Sequence, residues 1–249
     1  MKKKLVAILA CRNSGQRLYA KPLQNLNTKK KVRIIDQIIF SLKKIKKIDE
    51  IILAISNEKD NAIYEDVAKY HKIKFLYGHK KDVLLRLIKA AKKTKATDIF
   101  RVTTESPFLY HDIINLSIKK HLTDNYDASL CWNMVDGTGF EIIKKKALIQ
   151  SHKYGNKKHR SELCTLFIRE NQKKFKISKI YPPKSLLRKD LRLTVDYPED
   201  LVVCRQVYKY FEKDAPKFNL KKIVKFLDKN KYLKKLVFKY TKIGYENMY

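Results

Sequence analysis

No stretch of the 249-residue sequence approaches the roughly 18 consecutive apolar residues of a membrane span. The Lys2-Lys3-Lys4 start also lacks the small-residue cleavage site of a secretory signal, so a cytoplasmic protein is expected. Cysteine is scarce: Cys11, Cys131, Cys164 and Cys204 match neither a zinc spacing nor a dense disulfide framework. They are expected to be buried thiols in a reducing compartment. The six histidines form no HExxH or other metal pairing, and no G-x-S-x-G elbow precedes a helix, which disfavours zinc hydrolases and triad esterases. No linker and no internal repeat interrupts the chain. One domain over residues 1–249 is expected, with a substrate or dimerisation insertion around 132–190 and a helical C-terminal segment over 198–249.

Acidic residues are also in short supply: 25 Asp and Glu stand against 57 Lys and Arg, a formal charge of +32. At 44% hydrophobic and one third charged, the chain still holds enough apolar material for a large core, which excludes a disordered polycation. Such a surplus ordinarily points to nucleic acid or an anionic membrane. The type of base argues otherwise, because only 10 of the cations are arginine and phosphate readers favour its bidentate fork. The chain is rich in Ile, Asn, Tyr and Phe as well as Lys, all with A/T-rich codons, so a coding bias toward lysine at neutral surface positions explains most of the charge. Lys43-Lys44, Lys92-Lys93, Lys144-Lys145-Lys146 and Lys221-Lys222 sit where solvated helix faces or ends are expected. Nucleic acid is therefore not the expected partner.

The pattern alternates strand and helix from the start. Leu5–Leu9 and Ile51–Ile55 are short continuous apolar runs of the kind covered on both faces. Lys74–Tyr77, Ile99–Val102 and Ala128–Cys131 read as further strands. Between them, Ile34, Ile35, Ile38, Ile39, Leu42 and Ile45 recur at helical spacing, and Ser56-Asn57 can cap a helix carrying Ile63, Val67 and Tyr70. An Asp82-capped helix carries Val83, Leu84, Leu87, Ile88 and Ala91, and another helix covers 111–122. Beyond 132 the spacing predicts a helix near 144–152, a Lys/His-rich loop at 153–160, a strand near 175–180, and a strand over Leu191–Val195 that returns to the sheet. Helices follow at 198–211 and 219–228. Repeated βα units imply an α/β, three-layer α/β/α sandwich with a mostly parallel sheet.

Ligands of an open α/β sheet bind beyond the carboxyl ends of its strands. The loop after the first strand, from Cys11 to Leu23, is neither G-x-G-x-x-G nor a Walker A loop, which disfavours an NAD enzyme or an ATPase. It gathers Arg12, Ser14, Gly15, Arg17 and Lys21, a composition suited to a triphosphate: Gly15 permits close backbone approach, the arginines fork onto phosphate, and Lys21 neutralises a leaving pyrophosphate. The same residues also suit an ordinary solvated loop. Thr103-Thr104-Glu105-Ser106-Pro107 and Thr194-Val195-Asp196-Tyr197-Pro198 each put one carboxylate in a Pro-terminated turn past a predicted strand. Two carboxylates converging on a polyphosphate are the usual holders of Mg2+. Taken singly, each is as readily a turn or capping residue, Asp196 above all.

The ordered set Arg12-x-Ser14-x-x-Arg17-Leu18-x-x-Lys21-Pro22-Leu23, Ala54-x-Ser56, Gly78-x-x-x-Asp82-Val83-Leu84-x-Arg86, Thr103-x-Glu105-x-Pro107, Asp136-Gly137 and Leu193-Thr194-Val195-Asp196-x-Pro198-Glu199-Asp200 resembles the cytidylyltransferase family. That family includes the enzymes that activate acylneuraminate and 3-deoxy-manno-octulosonate, and the nearest branch is that of spore coat polysaccharide biosynthesis. The resemblance runs from residue 5 to about 211. It implies a nucleotide-diphospho-sugar transferase fold related to the GT-A glycosyltransferases, commonly dimeric, with CTP and an acidic sugar or sugar phosphate as substrates and Mg2+ as cofactor.

Carried over by position, Arg12, Ser14, Arg17 and Lys21 would meet the CTP phosphates, and Ala54 and Ser56 would neighbour the base. Asp82 and Arg86 would belong to the nucleotide pocket, Glu105 and Asp196 to the metal, and Arg160, Ser161 and Glu162 to the sugar side. Lys157, Lys158, Arg160 and Arg188 are candidates for a cationic mouth. The sequence departs from the family pattern at two places. The usual Pro-Gly before the lysine is Tyr19-Ala20, less permissive of positive φ, and the usual Gly-Asp of the metal turn is Thr104-Glu105, a ligand arm longer by one methylene.

The expected function is transfer of CMP from CTP to an acidic sugar or sugar phosphate for surface polysaccharide or glycan synthesis. Two alternatives stay open: a GT-A-type glycosyltransferase using a nucleotide sugar, and a non-catalytic nucleotide- or RNA-binding relative. Thr103-Thr104-Glu105 stands where the first would carry Asp-x-Asp.

Overall fold

The computed structural model describes residues 2–15 and 17–248. Its first half alternates strands and helices in the expected order: β1 (Leu5–Cys11), the short antiparallel pair β2 (Asn25–Asn27) and β3 (Val32–Arg33), α1 (Ile34–Lys43), β4 (Glu50–Ser56), α2 (Ile63–His71), β5 (Lys74–Gly78), α3 (Val83–Lys93), β6 (Asp98–Arg101) and α4 (Ile114–Thr123). The second half contains β7 (Ala128–Cys131), β8 (Glu141–Lys144), α5 (Lys145–Tyr154), α6 (Leu166–Glu170), β9 (Ile177–Ile180), α7 (Pro198–Tyr210), α8 (Leu220–Lys229) and α9 (Lys231–Met248). Seven strands form one sheet in the order β5-β4-β1-β6-β8-β7-β9, parallel throughout except for β8.

The pleat of β1 explains the layering. Leu5, Ala7, Leu9 and Cys11 point to one face, where α1, α2, α4, α7 and α8 supply the core, and Val6 and Ile8 point to the other, under α3, α5 and α6. Both faces are therefore dry, and burying each Ile or Leu side chain contributes about 1.5–3 kcal/mol. Helix starts are capped by side chains where it matters for the cleft. Asp82 accepts from the Leu85 N–H at 2.8 Å at the start of α3, and α7 has Pro198 in its first turn with Asp200 reaching back to the Tyr197 N–H at 3.0 Å. All four cysteines are buried and free, and burial pushes their thiols above the usual range. Among the described residues no helix is long and apolar enough to cross a membrane.

Three expectations are corrected. Residues 191–195 do not form a strand of the sheet: the segment runs extended and buried, with a single parallel bridge between Arg192 and Asp136. Its apolar alternation is real, but Arg192 is turned into a carboxylate cluster. A strand was also overlooked inside 132–190, where β8 inserts antiparallel between β6 and β7 with Ile143 opposite both Ile99 and Ala128. That segment therefore builds part of the sheet as well as loops. Finally, Ser56-Asn57 does not cap α2, which starts after a separate 3-10 turn at Lys59–Asn61. Its inward face is Tyr64, Val67, Ala68 and His71, while Ile63 and Tyr70 are exposed.

Candidate active site

The loop after β1 is strapped down at its base. The Asn13 N–H donates to Asn61 Oδ1 at 2.7 Å, the Ala20 N–H donates to the Asn13 carbonyl at 2.9 Å, and the Tyr64 hydroxyl donates to the Arg12 carbonyl at 3.2 Å. A Cβ on Gly15 would lie 2.7 Å from the Leu18 carbonyl oxygen, so the fold admits only glycine there without a shift. Ala20 adopts φ 49° and ψ 44°, the left-handed conformation that a glycine takes without strain. For alanine it costs about 1–2 kcal/mol. The following 3-10 turn, Lys21–Leu23, fixes where Lys21 leaves the chain.

Lys21 and Arg17 both point at Asp196. Lys21 Nζ is 2.5 Å and Arg17 Nη2 is 3.2 Å from Asp196 Oδ1, and the Arg17 guanidinium lies 5.0 Å from the centre of the Tyr197 ring. Asp196 Oδ2 is held from the other side by Arg192 Nη2. Arg192, 3% exposed, also donates to Asp136 and, through Nε at 2.9 Å, to Asp200. Asp200 in turn accepts the Asp196 N–H at 2.9 Å. The capping role that Asp196 could have filled thus falls to Asp200, which leaves the Asp196 carboxylate free for the cations. Burial works against its charge, but the Lys21 hydrogen bond and the charges of Lys21, Arg192 and Arg17 hold it below the usual range. Burial, with Asp196 and Asp200 nearby, pushes the Asp136 carboxyl up to about 6 against the pull of Arg192.

Glu105 sits beside this cluster. The Val195 N–H donates to the Glu105 carbonyl at 3.0 Å, which ties the two acidic turns together. Burial and the charge of Asp196 raise the Glu105 carboxyl. The structure therefore brings Arg17, Lys21, Glu105 and Asp196 into one place, as the spacing of their motifs requires.

A second group gathers over the carboxyl ends of β4 and β5. Ala54 is wholly buried in the core, so its side chain packs and does not line the cleft. The Ser56 hydroxyl donates to Glu58 Oε2 at 2.7 Å. Asp82 is engaged twice, as the α3 cap and by His152 Nε2 at 2.8 Å. Arg86 is only 1% exposed, and its Nε and Nη1 are buried with no hydrogen-bond partner among the described residues. Burial, with Arg12 nearby, depresses its pKa.

The sugar-side candidates are mostly tied. Arg12 lies 3.9 Å from Glu162, which is largely exposed, and Ser161 donates to the Lys158 carbonyl. Arg160 Nη2 donates to the His152 carbonyl at 3.2 Å while its buried Nε has no partner. Lys158 pairs with Glu170. Arg188 is clamped between Asp190 and Asp228 and is not available to a cationic mouth. Ser14 is exposed on the loop. Sequence reasoning singled out Asp136 with Gly137 but gave it no role, and it overlooked Arg192 and the largely buried Arg101 to Glu141 pair at 2.6 Å, which anchors the Glu162 loop through Arg101 Nη2 and the Glu162 carbonyl at 2.6 Å. The scarcity of arginine was the available signal, since each of these guanidiniums is used as a fork.

A sequence profile of the cytidylyltransferase family matches residues 6–243. The chain is 31% identical to the uncharacterised protein MJ1063 of Methanocaldococcus jannaschii over 94% of both chains. It is 22% identical to the spore coat polysaccharide biosynthesis protein SpsF of Bacillus subtilis, covering 91% of this chain and 95% of that one. A cytidylyltransferase structure from Leptospira borgpetersenii superposes with a TM-score of 0.83 at 21% identity, covering 93% of this chain and 97% of the other. The sheet and its helical layers have the nucleotide-diphospho-sugar transferase-like fold. With the profile spanning nearly the whole chain, this protein belongs to the cytidylyltransferase family.

Proposed function

We propose that the protein transfers CMP from CTP to an acidic sugar or sugar phosphate and releases pyrophosphate, in the service of surface polysaccharide or glycan synthesis. An acceptor oxygen forms a bond to the α-phosphorus while the bond from that phosphorus to the pyrophosphate oxygen breaks. The observation that carries the reading is the shared hold of Lys21 and Arg17 on Asp196 beside Glu105. In the ligand-free protein these cations neutralise a carboxylate. When a triphosphate arrives they can move to its β and γ oxygens, with Arg12, Ser14 and Gly15 along the same loop, and Lys21 then stabilises the departing pyrophosphate.

That exchange leaves Asp196 and Glu105 as neighbouring carboxylates, and burial together with the charge of Asp196 already raises Glu105. The pair would hold Mg2+, which takes few protein ligands, and the ion would supply charge neutralisation for the transfer. The protein's own residues supply positioning: Arg192 and Asp200 fix Asp196, and the Val195 N–H fixes the Glu105 turn.

On this reading Arg160 and Glu162 face the acceptor, the 132–190 segment carries acceptor and dimer contacts within a single nucleotidyltransferase domain, and two copies pair. SpsF, at 22% identity, supports the polysaccharide role. A thermal-shift panel of nucleoside triphosphates with Mg2+ tests the proposal. Selective stabilisation by CTP is expected, amounting to about 2.7 kcal/mol at a hundredfold excess over Kd; no response to any triphosphate refutes it.

A further inference from the structure

The last helix, α9, lies beyond the ordered motifs, which end at Asp200, yet it reaches back to the turn that carries Asp196. Tyr240 stacks on Tyr197, the residue after Asp196, with ring centroids 3.6 Å apart and planes inclined by only 9°. The Tyr240 hydroxyl donates to Glu199 Oε1 at 2.9 Å, and Lys239 lies 3.4 Å from the same carboxylate. α9 therefore grips the start of α7 at two points. It is held in place to do so by Leu233, Val237 and Thr241, which are buried on one stripe of the helix against α7 and α8. Tyr240 is not needed for that anchorage, since it follows the stripe and is only partly buried.

The ring that Tyr240 covers is the one on which Arg17 rests. The Arg17 guanidinium carbon lies 5.0 Å from the centre of the Tyr197 ring, and Nη1 donates to the Tyr197 hydroxyl at 3.4 Å. Lys239 stands over the other ring, 4.7 Å from the centre of Tyr240. Two aromatic rings stacked nearly face to face repel through their quadrupoles and ordinarily slide apart or tilt. A cation over each ring offsets that repulsion, so the stack and the place of Arg17 support each other. Arg17 has little else to hold it. Its side chain is 43% exposed, and its one printed ion pair, to Asp196, is the contact that a triphosphate displaces. When Asp196 is given up, the face and hydroxyl of Tyr197 keep the guanidinium at the cleft, and a long side chain already held in place loses less rotamer freedom on binding. Tyr197 can serve in this way only if its own ring does not turn, and Tyr240 stops it.

We propose that Tyr240 is a positioning residue for triphosphate binding: by pinning the Tyr197 ring it keeps Arg17 at the cleft, ready to pass from Asp196 to the phosphate oxygens. The inference rests on the CTP reading above. It gives the C-terminal helix a part in the site without any contact between α9 and the nucleotide.

Titration calorimetry of CTP with Mg2+ tests this in a double-mutant cycle. Tyr240→Ala, and Tyr240→Leu as a second variant that keeps apolar bulk against α7, should weaken CTP binding by about 3- to 10-fold. Tyr240→Phe keeps the stack, loses only the bond to Glu199 and should recover most of that loss. In an Arg17→Ala background the same Tyr240→Ala change should cost less than about twofold, because the side chain it positions is gone. A second readout needs no nucleotide. In the ligand-free protein the Arg17 Nε–H resonance, assigned by its loss in Arg17→Ala, should move in Tyr240→Ala and stay in place in Tyr240→Phe, while unmoved resonances of the other arginines report an intact fold. Wild type that fails to bind CTP overturns the CTP reading and this inference together. Wild type that binds CTP while Tyr240→Ala and Tyr240→Leu bind it equally well overturns the inference alone. So does a Tyr240→Ala loss of the same factor with and without Arg17, which would make Tyr240 a packing residue, and so does an Arg17 resonance that Tyr240→Ala leaves unmoved.

Discussion

The two ends of the cleft treat charge in opposite ways. Around Asp196, three cations, Arg17, Lys21 and Arg192, face three carboxylates, Asp136, Asp196 and Asp200, and every one of them is bonded within the cluster. At Arg86 two guanidinium nitrogens, Nε and Nη1, are buried with no hydrogen-bond partner among the described residues. The first end is satisfied without ligand and must exchange partners when one binds. The second is unsatisfied without ligand and gains partners only by binding.

The comparison can be broken at either end. Arg192→Met should have the largest effect on stability, because it leaves the carboxylates of Asp136 and Asp200 buried without their counter-ion. A loss of about 3–5 kcal/mol is expected from denaturant titration, and a loss below 1 kcal/mol would mean that the cluster is not held by this fork. Arg86→Met should act with the opposite sign, removing an unpaired charge while keeping the packed stem. Tm should rise by a few degrees, about 2–4 °C for each kcal/mol gained in a chain of this size, and a fall would show that Arg86 is already satisfied.

A smaller effect concerns pH. The Asp136 carboxyl is raised to about 6 by burial and by its acidic neighbours, above the unfolded value of about 3.9. Its contribution to stability is then complete below about pH 4 and is lost as the pH climbs through about 6. Tm measured against pH should show that decline in wild type and not in Asp136→Asn; parallel curves would place the titration elsewhere. The smallest change expected is from Ala20→Gly. Relief of the left-handed alanine at φ 49° is worth about 1–2 kcal/mol, offset by about 0.5–1 kcal/mol of added unfolded-state freedom. A net gain of a few tenths to about 1 kcal/mol is expected by thermal unfolding, and a net loss would mean that the loop relaxes around Ala20.

The same contrast explains what could be read from the sequence. β1 and β4 were legible because a strand buried on both faces is a continuous apolar run, and Asp82 because a cap stands at a fixed place before an apolar helix face. β8 was not legible: Glu141-Ile142-Ile143-Lys144 is four residues with charged ends, and its antiparallel slot between β6 and β7 is set by distant partners. The opposite error at residues 191–195 has the same origin, since Leu191, Leu193 and Val195 alternate like a strand but pack beside Asp136 and Glu105, with one bridge. On α2, Ile63 and Tyr70 matched a helical spacing, yet the neighbouring stripe of Tyr64, Val67, Ala68 and His71 makes a more continuous buried face.

In the site, the structure places Arg17 and Lys21 on Asp196 with Glu105 beside it. What lay beyond reach was the state of each charge. Nothing in the spacing distinguishes Arg188, clamped by two aspartates, from Arg86, clamped by none. In a chain where most cations are lysine, the few arginines mark places where a fork is needed, and Arg101, Arg188 and Arg192 all show one.

The central claim is that the Asp196 cluster performs nucleotidyl transfer from CTP. Pyrophosphate release from CTP with Mg2+ and a panel of acidic sugars, including 3-deoxy-manno-octulosonate and an acylneuraminate, tests it most directly in wild type beside Asp196→Asn. Release by wild type with at least one of these acceptors, reduced by about a thousandfold or more in the variant, is expected. Release that proceeds unchanged in Asp196→Asn, or none from wild type with any acidic acceptor, would contradict it.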